Sequence, residues 1–240
     1  MTTNNPVFGV APVESIPYAN VAISLLNQEG ESFIYGYIPT IVAECGAFLK
    51  KRGELTCSLL IVEWLKTTEG TVHPNILTLG NEDNVARLII AFNSPPHNDK
   101  RVDWADYSVL DASTVLYRYL RSLPEPLITP DCFRRMMFLP IKEPFRNPSS
   151  PERQHLVARY QLALTQLQSP NRELVLYLLD LFSVFAGKSE LNGAYTDVIV
   201  GHYLTVFFLE DKANLELSMR QRFALGFMID YQDNISLGFV

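Results

Sequence analysis

Along most of the chain, apolar residues recur at helical spacing. Leu116, Tyr119, Leu120 and Leu123 occupy positions i, i+3, i+4 and i+7 of one segment, and Asp111 can cap its start. Pro124 bars helical geometry at Leu123, and Leu-Pro-Glu-Pro-Leu (123–127) fixes an extended turn directly after the helix. Arg121 is held beside that bend. Upstream, the stretch 36–52 puts Ile41, Val42, Cys45, Phe48 and Leu49 on one helical face. A short helix is expected over 80–92, then a polar, proline-broken loop over 93–104. Residues 1–36 carry Pro6, Pro12 and Pro17 and read as extended or loop-like. The apolar run within 54–68 fits either a strand or a helix.

The C-terminal half is more uniform. Ser150-Pro151-Glu152 places a cap, a proline and an acid where a helix start favours them. Ser169-Pro170 repeats the start signal for a helix that Gly187 closes. The mostly apolar stretch beginning at Ala194 predicts a central buried helix, and 217–233 predicts a last, amphipathic one. About six or seven helices, with no βαβ alternation, predict an all-α fold. The architecture expected is a single orthogonal helical bundle spanning 1–240, with 1–36 as an extended leading segment.

Composition adds constraints. The chain is 48% hydrophobic and 19% charged, as a folded chain is, with a net charge of −6. That balance argues against a general nucleic-acid binder, which needs a basic face. Cys45, Cys57 and Cys132 are widely spaced and read as buried thiols of a reducing compartment. The N-terminus lacks a signal-peptide pattern, and the longest apolar run, around 198–209, is too short to span a bilayer and contains His202. A cytoplasmic protein with no transmembrane segment is expected.

Catalytic motifs are missing. The chain has no Gly-rich phosphate loop, no HExxH and no GxSxG. His73, His97, His155 and His202 lie too far apart in sequence to form a helical metal pair. Neither a metal nor a cofactor is expected. Acid pairs such as Glu82-Asp83 read as solvated surface charge.

The stretch "YLRSLPEPLI" (119–128) strongly resembles the helix-and-turn motif of Rho GTPase-activating (RhoGAP) domains. In order along the chain, "FGV" (8–10), the stretch 14–50, "FNSPP" (92–96), "DW" (103–104), "LDASTVLYRYL" (110–120) and "QDNISLG" (232–238) continue the likeness to the fungal branch of that family. The resemblance implies an all-α bundle that binds a GTP-loaded Rho-family small GTPase. Family members insert an arginine finger against the transferring phosphoryl group, contributing about 10³–10⁵ in rate.

Here the finger is missing. The best counterpart of the finger loop is "TEGTVHPN" (68–75), with His73 in the finger position; counting without a gap places Ile61 there instead. Between Arg52 and Arg87 no arginine occurs, and the 54–80 region is altered by an apparent insertion that includes "CSLLIVEWL". An imidazole is shorter than a guanidinium and cannot present its fork to phosphate oxygens. The basic residue commonly found four places before the motif arginine corresponds to Tyr117, the asparagine of the family's "NLAxVFxP" helix to Tyr195, and that motif's proline to about His202. Arg121 matches the family arginine that braces the finger loop; alternatively it is a cation satisfying its own helix's C-terminus. Tyr117 and Tyr195 are packing residues or an aromatic patch on the GTPase-facing surface.

Three readings follow. In the first, a pseudo-GAP docks its GTPase through Arg121, Tyr117, Tyr195 and His73 without much acceleration. In the second, an active GTPase activator supplies a substitute cation, His73 or Lys66, or works without a finger. In the third, a helical scaffold binds no GTPase.

Overall fold

The computed structural model describes residues 5–26, 32–50, 70–95, 102–137, 150–209, 211 and 213–236. The apolar run within 54–68, Cys57, Ile61, Lys66 and His97 lie outside them. The N-terminal part holds a short helix α1 (Pro12–Ser15) and two strands, β1 (Asn20–Leu26) and β2 (Ser32–Pro39). Helix α2 (Thr40–Lys50) follows, then α3 (Glu82–Phe92), α4 (Val109–Ser122) and α5 (Pro130–Met137). The second half contains α6 (Ser150–Leu164), α7 (Asn171–Ala186), the short α8 (Ser189–Asn192), α9 (Thr196–Phe207), α10 (Leu215–Asp230) and α11 (Gln232–Ser236). The fold is mostly helical, as expected, and the helices outnumber the six or seven read from periodicity.

Several boundaries differ from the sequence reading. The leading segment is extended, but β1 and β2 pair antiparallel from Asn20↔Pro39 to Leu26↔Ser32, with an irregularity at Ile23/Ser24. This pairing takes residues 36–39 away from the expected helix, which begins only at Thr40. Asp111 is not the cap of α4. Ser108 is, with its side chain accepting from the Asp111 N–H, while the Asp111 carboxylate accepts from the Ser108 N–H, a reciprocal capping box. The last helix breaks at Tyr231 into α10 and α11.

Burial identifies α7, not α9, as the centre. No residue of α7 is exposed, and Leu174, Leu178, Leu181, Phe182 and Phe185 are fully buried. Each such side chain contributes about 1.5–3 kcal/mol on leaving water. Helix α9 is one-sided: Ile199, Tyr203, Leu204 and Phe207 face inward, whereas Asp197, Val198 and Gly201 are exposed.

The motifs scattered along the chain meet in space. Val7 and Phe8 donate their N–H groups to the Asn93 side-chain oxygen at 2.8 and 3.1 Å, and the Phe8 ring meets Tyr119 edge-on at 5.5 Å. Gly9, at φ 78°, donates to Ser122 Oγ at the end of α4. Trp104 stacks on Phe48 at 4.5 Å. These contacts fix the ends of α2, α3 and α4 together. Cys45 and Cys132 are buried free thiols, and burial pushes Cys132 up to about 12.

Candidate functional site

The turn after α4 has a definite job. Leu127 and Ile128 donate their backbone N–H groups to the carbonyls of Val206 and Phe207 at 2.9 and 3.0 Å. Those carbonyls belong to the last turn of α9, where no helical partner remains. The prolines at 124 and 126 hold the chain extended, so its N–H groups point outward and cap the neighbouring helix. Arg121 sits one turn before this bend and donates to Thr205 Oγ1 on α9. Its side chain is therefore committed across the α4–α9 junction.

Tyr117 lies one helical turn before Arg121 and is half-buried. Its ring stands 4.1 Å from the His202 imidazole and meets Tyr203 edge-on at 5.6 Å. Tyr117 and His202 thus pack against each other. Burial pushes the His202 imidazole below its ordinary range, and the neighbouring Arg121 charge pushes the same way. Burial likewise raises the Tyr203 phenol beneath it. The result is a neutral aromatic stack beside one guanidinium.

Tyr195 does not join that cluster. It occupies the N-cap of α9 without a side-chain cap and is 45% exposed. Seven residues of helix separate it from His202, roughly 10 Å along the axis. The loop carrying His73 is tied near Tyr195 instead. Buried Asn192 donates to the Thr71 carbonyl at 2.7 Å and to the Phe185 carbonyl at 3.0 Å, and accepts from the Ala194 N–H at 2.7 Å. Asn75, at φ 57°, donates its N–H to the Asn192 carbonyl, and Lys188 donates to Thr71 Oγ1. At the far end Gly80 donates to Thr114 Oγ1, and Asn81 to the Asp111 carboxylate at 2.7 Å. Burial alone would raise the Asp111 carboxyl, but hydrogen bonds from Ser108, Asn84 and Asn81 outweigh it and hold the group below the usual range.

His73 itself turns onto its own loop. Its Nδ1 lies 2.8 Å from the Pro74 carbonyl oxygen. A carbonyl only accepts, so this contact selects the Nδ1–H tautomer and, on a neutral ring, leaves a lone pair on Nε2. That polarity is wrong for an anionic phosphoryl oxygen. The candidate site therefore has two ends: Tyr117, Arg121, His202 and Thr205 at one, and Tyr195 with the His73 loop at the other. Sequence reasoning missed Thr205 and Asn192. The available signal for the second was an Asn-Gly pair between helices, where Gly193 adopts φ 72°. Among the described residues no group of His, Cys, Asp and Glu could hold a metal ion, and no helix is long and apolar enough to cross a membrane.

This frame of helices is capped by a proline turn and carries a loop beside it. The RhoGAP domain family model matches residues 62–197, more than half of the chain, and the protein belongs to that family. Over 189 residues it is 32% identical to Rho-GTPase-activating protein 5 of Schizosaccharomyces pombe, covering 79% of this chain and 46% of that one. Rho-GTPase-activating protein BAG7 of Saccharomyces cerevisiae is 28% identical over 193 residues, covering 78% and 40%. The chain thus spans under half the length of these curated relatives. Among solved structures, human Rho GTPase activating protein 15 superposes with a TM-score of 0.66 at 16% identity, covering 97% of this chain and 92% of that one. The BH domain of GRAF, the GTPase regulator associated with focal adhesion kinase, gives 0.61 at 15%, covering 81% and 92%. Those likenesses show the same fold.

Proposed function

We propose that this domain docks on a GTP-bound Rho-family GTPase and stimulates hydrolysis poorly. The observation that carries the reading is His73. By the sequence resemblance it is the best counterpart of the finger residue, with Ile61 the alternative; its ring is turned onto the Pro74 carbonyl, and no arginine lies between Arg52 and Arg87. Arg121 supports docking, because the α4–turn–α9 frame that holds it is intact. Tyr117 offers a half-buried aromatic surface beside it, and exposed Tyr195 offers a second at the other end of α9.

The fungal relatives' names, Rho-GTPase-activating proteins, favour a second reading: an activator that works through a substitute cation or by ordering the GTPase's own residues. Single-turnover GTP hydrolysis by a panel of Rho-family GTPases, with the domain in excess, separates the two. No acceleration, together with inhibition of a finger-bearing activator, is the expected result. Acceleration above about a hundredfold overturns it, since only a working electrostatic device delivers that much. His73→Ala should leave any residual stimulation unchanged, and His73→Arg alone should recover little.

A further inference from the structure

Helices α5 and α6 line an open groove of about 920 Å³. Arg134 and Arg135 reach it from α5, and His155 and Arg159 from successive turns of α6. Arg134 is paired with Asp131, the one carboxylate among the described lining residues. Arg159 Nε donates to the Arg135 carbonyl at 2.8 Å, in the last turn of α5, which sets its guanidinium at the groove while leaving its terminal nitrogens available. Among the described lining residues three guanidiniums stand against one carboxylate, a cationic set on a chain whose net charge is −6. Nothing in the candidate site uses it.

The geometry points to a binding site for a phosphorylated headgroup, held by Arg135 and Arg159 with Arg134 at the margin. Guanidinium forks from two helices converge on one concavity, an arrangement suited to bidentate phosphate contacts. A small wall at Ala158 and Ala163 leaves room between them. Leu162, 68% exposed, also lines the groove. A large apolar side chain beside a cluster of cations matches a ligand that is anionic at one end and greasy at the other, namely a phosphoinositide in a membrane surface. The chain's overall negative charge disfavours diffuse attraction to any anionic surface, so binding here depends on the local geometry.

The test is vesicle co-sedimentation with the whole domain. Vesicles are phosphatidylcholine alone, phosphatidylcholine with phosphatidylserine, and phosphatidylcholine with phosphatidylinositol bisphosphate at matched surface charge. Inositol hexakisphosphate serves as a soluble competitor. Expected is binding to the phosphoinositide vesicles that the soluble competitor displaces. Each arginine lost should weaken it about fivefold, so R135E/R159E should lose about twentyfold or more. R135E alone covers the case in which the double variant fails to fold, because Arg135 sits exposed on α5. R220E, on α10, should bind as the wild type does. Leu162→Ser should weaken the vesicle arm and spare the soluble one. Binding of inositol hexakisphosphate without vesicle binding keeps the phosphate site and assigns a free ligand to it. Equal binding to phosphatidylserine, displacement by polyglutamate as efficient as by inositol hexakisphosphate, indifference to R135E, or no binding in either arm overturns the proposal.

Discussion

The turn at 123–128 and the loop at 70–79 are held in opposite ways. The turn is fastened by its backbone: two N–H groups cap α9, and prolines remove the freedom to do otherwise. Apart from one backbone bond, from the Asn75 N–H to the Asn192 carbonyl, the loop is fastened by other residues' side chains, Asn192 near its start and Thr114 and Asp111 just past its end. A backbone clamp tolerates almost any side chain, whereas a side-chain clamp fails with one substitution. The part of the surface that presents Arg121 is thus robust, and the part that presents His73 depends on a few buried polar groups.

The strongest test of that difference is Asp111→Ala. It leaves the Ser108 and Asn81 amides and the Asn84 side chain without their acceptor, and should cost about 3 kcal/mol in urea denaturation. A loss below about 1 kcal/mol would break the comparison. Next comes Asn192→Ala, with an expected cost of about 2 kcal/mol and faster protease cleavage within 70–79 than elsewhere in the domain. Pro126→Ala should change stability by less than about 1 kcal/mol, because only unfolded-state entropy changes while the capping N–H groups remain. Cleavage at the turn in that variant would show the prolines matter more than the backbone bonds.

The smallest effect belongs to His202. Its folded-state pKa is depressed, so the unfolded chain takes up the proton first as pH falls below the ordinary value of 6.5. Its contribution to stability is full above that value and is lost as pH drops toward the folded pKa. His202→Phe keeps a ring against Tyr117 and should flatten that part of the melting-temperature profile. An unchanged profile would mean the stack is looser than its 4.1 Å spacing implies.

How much of this could be read along the chain depended on the range of each contact. Helices α3, α4, α6, α7 and α10 announced themselves because their apolar faces repeat locally. Ser108, three places before Asp111, was a legible capping box that the aspartate obscured. The β1–β2 pairing was not legible: Asn20–Leu26 and Ser32–Pro39 show no strict alternation, and the register carries an irregularity. Arg121 could be found from its motif, but Thr205 lies 84 residues on, and nothing local joins them. The burial of α7 over α9 was equally a matter of packing, since both stretches are rich in apolar residues.

The capping turn has one more consequence. Leu127 and Ile128 belong to no helix or strand, yet their amide protons are locked onto α9. In deuterated solvent they should exchange at the pace of the α9 backbone, because releasing them requires the end of that helix to open. A stretch that looks like a loop then reports on the stability of a helix that begins nearly seventy residues later in the chain.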